Sequence, residues 1–295
     1  MQLRLALKEY IEITEIMDEA GERDWAENEL QKLDSNLQMH AWDGAWFMRG
    51  YRADGMKFGS SESPEGKIFL NPQVWSVISG AASSRQAEEA MKQVREQLFT
   101  GYGIRLCAPA YTSSDYNIVR AMLMNPGQKE NGGIFVHTQG WAVMAESMLG
   151  HGNQAFEYLR AYMPAAYNQR AEIREIEPYV VCQSTHGPES PRFGASRLPW
   201  LSGSATWTYY AVSQYILGIR PGYKGIQINP SIPSDWKGFT ASRLFRGKTL
   251  KITVSNPGGV EYGVKSLRVN GQELQGNFIP MELLSSETIV EAVMG

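Results

Sequence analysis

The segment Asn125-Pro126-Gly127-Gln128-Lys129-Glu130-Asn131-Gly132-Gly133 carries charges and glycines and runs through Ile134-Phe135-Val136 into His137. That order sets one imidazole at the start of an apolar helix. Glycines let backbone approach a ligand, and a helix N-terminus favours an anion. A capped helix with a satisfied core histidine explains the same residues equally well. A second helix start, Trp200-Leu201-Ser202-Gly203-Ser204-Ala205, offers a hydroxyl and backbone N–H groups that could hold a phosphate oxygen. Read alone, it is also a plain N-cap. Other chemistries are poorly served. Gly101-Tyr102-Gly103 begins like a dinucleotide fingerprint, but Leu106 stands where the third glycine belongs and no strand is predicted before it. No P-loop, HExxH or GxSxG motif occurs. Cys107 and Cys182 supply neither a disulfide framework nor metal-ligand spacing, so no metal is expected. His40 and His151 fall at predicted helix ends, where a structural role is the simpler reading.

Helices must position these residues. Leu3, Leu5, Leu7, Tyr10, Ile11, Ile13 and Ile16 predict a first helix with Gly21 as its stop. Trp25, Leu30, Leu33 and Leu37 predict a second over 23–40. Turn signals crowd 41–70. Asn71-Pro72 starts a third helix, and Ser83-Ser84 enters a fourth that closes at Gly101. Helices over 135–149, 151–162 and 204–217 follow, separated by long loops. Loops above about fifteen residues are uncommon in compact domains unless they form a binding site. Helix, long loop, helix recurs with no evident sequence repeat, which predicts an α/α toroid or barrel with its site at one end. From Gly222 the apolar pattern alternates with period two, and Asn270-Gly271 signals a hairpin. The expected fold class is mainly α with a β tail. Residues 1–221 form the helical domain and residues 222–295 a small all-β sandwich.

Composition narrows the partners. Lys and Arg total 28 against 31 for Asp and Glu, a formal net charge of −3, which argues against electrostatic capture of nucleic acid. No run of about eighteen apolar residues occurs, so no membrane-spanning helix is expected. Arg4 and Lys8 interrupt the apolar pattern of the first ten residues, which therefore reads as amphipathic helix and not signal peptide. With no disulfide framework, the expected compartment is cytoplasmic. The 8 Trp, 14 Tyr and 13 Met fit a sugar-binding cleft and a bulky helical core alike.

Taken together, several segments carry a family resemblance. Lys-Glu-Asn-Gly-Gly-Ile-Phe followed by His at 129–137, Glu-Pro-Tyr at 177–179 and Pro-Trp-Leu-Ser-Gly-Ser-Ala at 199–205 resemble the family 94 glycoside phosphorylases. Trp42-Asp43-Gly44-Ala45-Trp46 and Gly66-Lys67-Ile68-Phe69 resemble further segments of that family in the same order. The likeness covers essentially the whole chain, including Ile-Arg-Pro at 219–221. It implies part of an (α/α)6 barrel followed by the terminal β domain. It also implies an inverting displacement in which inorganic phosphate, a co-substrate and not a cofactor, attacks the anomeric carbon of a disaccharide. One carboxylic acid protonates the leaving oxygen, and no base is needed because phosphate is already nucleophilic. By motif, His137, Ser202 and Gly203 would bind phosphate, Gln183 the transferred sugar, and Glu130 and Lys129 the acceptor. Ser202 stands where the family usually has threonine. Arg120 lies where cellobiose-specific relatives carry a carboxylate; it either forks onto an acidic acceptor such as gluconate or is simply solvated. Met124, beside it, matches neither residue type that would decide.

The family's catalytic aspartate belongs to an Asp-Trp-Asn-Asp motif upstream of the segment this chain begins with. Asp24-Trp25 and Asp235-Trp236 match it in neither pattern nor place. The expectation is therefore a C-terminal portion of such an enzyme, inactive alone, pairing as a homodimer or with a missing N-terminal half. The alternative is a non-catalytic carbohydrate-binding or assembly module derived from one.

Overall fold

The computed structural model describes residues 1–115, 119–200 and 202–295, the Ser202 side chain excepted. Helices α1 (Gln2–Ile16) and α2 (Ala20–His40) form a hairpin. Arg4 donates to both carboxylate oxygens of Asp34, at 2.6 and 3.0 Å, and Tyr10 donates to Glu22 at 2.9 Å. Gly21 does not stop the first helix. The reversal comes three residues earlier, where Asp18 takes a left-handed conformation (φ 58°), and Gly21 lies in the first turn of α2. A short polar residue can reverse the chain as glycine does.

The stretch expected to be turns contains small strands. β1 (Gly50–Tyr51) pairs with β2 (Lys57–Phe58), and β3 (Ile68–Phe69) leads directly into α3 (Leu70–Ile78). Helix α4 (Ser84–Gln97) is entered through a capping box, with the Ser83 hydroxyl accepting from the Gln86 N–H and Gln86 reaching back to the Ser83 N–H. Gly101 then belongs to the turn between β4 (Phe99–Thr100) and β5 (Gly103–Ile104), and β6 (Cys107–Ala108) returns to pair with β3. β7 (Ile134–Phe135) leads into α5 (Val136–Leu149), which is followed by α6 (Gly152–Tyr162) and the short α7 (Ala171–Arg174). β8 (Cys182–Thr185) and β9 (Ser196–Pro199) join β7 in a three-stranded sheet before α8 (Ser202–Ala211).

A repeat underlies these helices, although none is evident from overall similarity. Gly-Lys-Ile-Phe-Leu-Asn-Pro-Gln-Val-Trp at 66–75 and Gly-Gly-Ile-Phe-Val-His-Thr-Gln-Gly-Trp at 132–141 align without gaps, and Trp75, Trp141 and Trp207 recur at intervals of 66 residues. The structure shows why those positions persist. Gln73 accepts from the Phe47 N–H at 2.8 Å and donates to the Phe47 and Phe69 carbonyls at 2.9 and 2.8 Å. Gln139 does the same, accepting from the Ile104 N–H at 2.7 Å and donating to the Ile104 and Phe135 carbonyls at 2.8 and 2.9 Å. Each amide ties a helix start to a loop, and Trp75 meets Trp141 edge to face at 5.3 Å.

Contacts divide the chain into two units, Met1–Trp141 with Ala161–Ser204 and Ala142–Arg160 with Ala205–Gly295. In the second unit, β10 (Ile219–Pro221), β11 (Gly225–Ile228) and β16 (Phe278–Pro280) form one antiparallel sheet. β12 (Gly238–Phe245), β13 (Lys248–Ser255), β17 (Glu287–Val293), β14 (Ser266–Val269) and β15 (Gln272–Leu274) form the other, in that spatial order. β13 and β17 run parallel. Leu250, Ile252, Val254, Val290 and Ala292 are buried at alternate positions, as a sheet with one covered face requires. Asn270 and Gly271, with φ of 50° and 83°, make the expected two-residue hairpin turn. In the same unit the buried Glu146 carboxylate pairs with His151 Nδ1 at 2.7 Å. No helix among the described residues is long and apolar enough to cross a membrane.

In the first unit, Glu65 holds the loop after β6. Its carboxylate accepts from the Thr112 and Ser114 hydroxyls at 2.6 and 2.7 Å and from the backbone N–H groups of Thr112, Ser113 and Ser114. Partial burial pushes its pKa up, but those donors outweigh it and hold the group at about 2. A depressed carboxyl stabilises the fold above its unfolded value and loses that contribution as pH falls toward the folded one. Glu65→Gln should therefore lower the urea midpoint at neutral pH, with the gap to wild type narrowing as pH falls from 4.5 toward about 2. A gap that stays constant across that window would show that the charge does not hold the loop.

Candidate functional site

The loop before α5 is built on its own backbone. The Gly127 N–H donates to the Asn131 carbonyl at 2.8 Å, Asn131 to Gln128 at 2.9 Å and Gly133 to Lys129 at 3.0 Å. A Cβ on Gly133 would lie 2.5 Å from the Lys129 nitrogen, and one on Gly127 2.6 Å from the Ser190 nitrogen. The glycines thus admit close approach as the sequence predicts, but the atoms approached belong to the chain itself. Lys129 adopts a left-handed φ of 44° to complete the turn.

Asn131 anchors this loop. Fully buried, it accepts from the Tyr111 N–H at 2.6 Å and donates to the Tyr111 and Met124 carbonyls, both at 2.9 Å. The segments carrying Arg120, Met124, Lys129 and Glu130 are therefore held through one side chain. Arg120, Lys129 and Glu130 are exposed and Met124 is half-buried.

The sheet register brings the remaining candidates to one edge. Phe135 stands opposite Ser184, and Cys182 opposite Pro199. β7 and β9 therefore run the same way, and both exit beside the start of β8. His137 follows β7 by two residues, Gln183 is the second residue of β8, and Ser202 and Gly203 open α8 just after β9. The Ser202 side chain lies outside the described part of the structure. Gly203 is exposed, and a Cβ there would meet nothing within 4 Å. Arg174 braces the hairpin of β8 and β9, donating to the Gly194 carbonyl at 2.9 Å and the Thr185 hydroxyl at 3.3 Å. Its guanidinium also lies over the rings of Tyr102 and Tyr167, at 5.5 and 5.8 Å.

His137 is half-buried between Phe135 and Trp141, with ring centroids 5.5 and 5.2 Å away. Loss of solvent lowers its pKa below the ordinary 6.5, so at neutral pH the ring is uncharged and offers one donor and one acceptor. It shares a cavity of about 350 Å³ with Arg120 and Glu130. Lys129, Met124, Gln183 and Gly203 are not among the residues lining that cavity. Arg49 also lines it, and its guanidinium lies 5.9 Å from the Phe69 ring centre. Arg49 directly follows the apolar run Trp46-Phe47-Met48, which by itself does not single it out. Among the described residues no ion pair to a carboxylate is seen for either arginine. Cys107, nearby, is fully buried, and burial pushes its thiol up to about 12, which makes it inert. Among the described residues no group of three or more His, Cys, Asp or Glu could hold a metal ion.

The chain has known relatives. Residues 1–218 match the glycosyl hydrolase 94 superfamily catalytic domain, and residues 220–275 the C-terminal domain of glycosyl hydrolase family 65. The chain is 37% identical to an N,N'-diacetylchitobiose phosphorylase of Vibrio proteolyticus, over 98% of its own length and 36% of the relative's. It is 34% identical to a solabiose phosphorylase of Paenibacillus borealis, over 94% of this chain and 36% of that one. A cellobionic acid phosphorylase of Neurospora crassa is 31% identical over 81% of this chain and 31% of the relative. Among solved structures, a sialidase superposes with a TM-score of 0.65 at 13% identity, covering 98% of this chain and 26% of that one, a likeness of fold alone. The chain spans about a third of the length of the curated relatives it matches. On the match over residues 1–218, with the ordered segments around His137 and Gly203, the chain belongs to the glycosyl hydrolase 94 family.

Proposed function

We propose that the chain is the C-terminal portion of an inverting disaccharide phosphorylase acting on a β-linked disaccharide and inorganic phosphate. It supplies part of an (α/α)6 barrel over 1–221 and the β-sandwich over 222–295. The observation that carries this reading is the register of β7, β8 and β9, which delivers His137, Gln183 and the start of α8 to one edge. In this reading phosphate lies between the His137 ring and the first N–H groups of α8 at Ser202 and Gly203. Gln183, on the strand between them, contacts the transferred sugar. Glu130 and Lys129 line the acceptor side with Met124, and Arg120 and Arg49 meet an anionic acceptor or the phosphate charge. An uncharged imidazole orients phosphate through a single N–H, so the countercharge falls to the arginines. The two free, buried cysteines suit the cytoplasm.

Phosphate attacks the anomeric carbon as the glycosidic bond breaks, and the leaving oxygen must gain a proton. A group supplying it needs a raised pKa. Asp24-Trp25 and Asp235-Trp236 do not continue as the family's Asp-Trp-Asn-Asp motif. In this reading the proton donor therefore comes from an N-terminal half or a partner copy. The same observation favours, as the second reading, a module that binds sugar without turning it over.

Three outcomes test this. Inorganic phosphate should raise the titration midpoint of His137 followed by imidazole NMR, with His137→Gln identifying the signal; a midpoint indifferent to phosphate would remove His137 from the site. Gly203→Ala should fold normally, gaining up to about 1 kcal/mol from helix propensity. It keeps the backbone N–H, but its Cβ would project into the open space at the helix start and should weaken phosphate binding by crowding the anion. Equal affinity in variant and wild type would show that α8 does not hold the anion. Finally, the pure chain should release no phosphate from glucose 1-phosphate or N-acetylglucosamine 1-phosphate with glucose, gluconate or N-acetylglucosamine as acceptor. Loss of leaving-group protonation alone costs about 10²- to 10⁴-fold, and clear turnover would overturn the partial-enzyme reading.

A further inference from the structure

His137 stands in a slot between two aromatic rings. Phe135 lies edge to face with it at 5.5 Å between ring centres and 81° between planes, and Trp141 at 5.2 Å and 87°. Strand and helix build the slot together. Phe135 is the last residue of β7 and His137 the second of α5, while Trp141 follows one helical turn later on the same face. Among the described residues no hydrogen bond to the imidazole is seen, so its orientation falls to these rings. An edge-to-face pair favours its own geometry by roughly two- to tenfold, and two of them on one ring compound.

Both walls of the slot are themselves held. The Phe135 backbone pairs with Ser184, and its carbonyl accepts from the Thr138 hydroxyl at 2.8 Å and from the Gln139 amide at 2.9 Å. Trp141 is buried and meets Trp75 of α3 at 5.3 Å and 65°. The repeat adds an independent observation. Trp75, Trp141 and Trp207 each stand four residues after Asn71, His137 and Gly203 respectively. A tryptophan at this place recurs in all three helices, whatever residue lies one turn before it. Only α5 sets an imidazole there, and only there does the recurring indole meet a ring that can both titrate and donate.

We propose that Phe135 and Trp141, the latter backed by Trp75, are positioning residues that fix the direction in which His137 donates. That the fixed donor meets phosphate rests on the function proposed above for His137. Neither ring touches the anion; both act through the imidazole. A donor already held in one direction has little rotamer freedom left to lose when an anion arrives, so the slot adds affinity without adding charge. The same rings keep water from part of the imidazole, and that burial is what lowers its pKa. Orientation and acidity therefore change together when a wall is removed, which loss of stability alone would not cause.

Imidazole NMR on the full chain, with and without inorganic phosphate, tests the slot. Trp141→Leu and Phe135→Leu should each raise the phosphate-free midpoint of His137 toward 6.5. Each should also weaken phosphate about tenfold, the low end of what a hydrogen bond to a charged group is worth. Trp141→Phe keeps a ring in the wall and should hold the affinity within about twofold of wild type. Arg49, Arg120 and Glu130, which share the cavity, are untouched in every variant. Ser83→Ala, which uncaps α4, should melt lower and leave the midpoint and the phosphate affinity as they are, separating stability from position. Phe135→Leu, the smaller change, carries the test should Trp141→Leu fail to fold. Leucine variants that melt lower yet keep the wild-type midpoint and affinity would make both rings scaffold alone and overturn the proposal. A midpoint raised by the leucine variants in a chain whose His137 ignores phosphate would uphold the slot and remove the phosphate reading. A midpoint that neither phosphate nor the variants move would overturn both.

Discussion

A loop folded into a protein interior must find partners for its peptide groups, and here buried carboxamides supply them. Gln73, Asn131 and Gln139 each accept from the N–H and donate to the C=O of a single loop residue, Phe47, Tyr111 and Ile104 respectively. Asn256 does the same for Val260 in the second unit. One side chain thus supplies the pair of bonds that a rung of a β-ladder would give, even to Ile104 at the end of the two-residue β5. An unpaired buried peptide group costs about 1–3 kcal/mol. Without these amides the loops that carry the site would have to rise to the surface.

That constraint explains how strands of two to four residues can define a site. β7 is two residues long, but the Gln139 clamp fixes the first turn of α5, and Asn131 fixes the loop entering β7. With both flanks immobilised, the register with β8 and β9 sets where His137 and Gly203 emerge. Division of labour follows. Backbone and amides fix positions; in the proposed site a neutral imidazole and a helix start offer directed donors, and two guanidiniums with no carboxylate partner among the described residues provide charge. Charge is thereby kept on exposed, adjustable side chains, where desolvation costs little.

Local chemistry was legible in the sequence and long-range partnership was not. The Ser83 capping box, the Asn270-Gly271 turn and the helix start at His137 each depend on a few adjacent residues, and each is read from them directly. Gly21 misled because Asp18 performs the reversal instead. The glycines at 127 and 133 indicated close approach correctly but could not say to what, since the approaching atoms at Lys129 and Ser190 are set by tertiary structure. The 66-residue repeat is invisible to overall similarity because only residues with an obligatory partner persist: Ile-Phe for the short strand, Gln for the clamp, Trp for the edge-to-face contact. Arg49 escaped notice because an exposed arginine has no distinctive spacing.

Satisfied and unsatisfied polar groups are unevenly distributed between loop-bridging amides and other side chains. Every amide that bridges a loop in the first unit has its hydrogen bonds met within the chain. Asn71, Trp75 and Tyr111 keep buried polar atoms without partners among the described residues, and all three line cavities. A fold that provides three partners for Gln73 has the means to provide one for Asn71 two residues away. Leaving it open lowers the stability of the free chain. Polar bookkeeping therefore separates the amides that bridge loops, whose hydrogen bonds are met, from single groups such as Arg174 Nε, Ser196 Oγ and Ser231 Oγ that keep buried atoms unmet among the described residues.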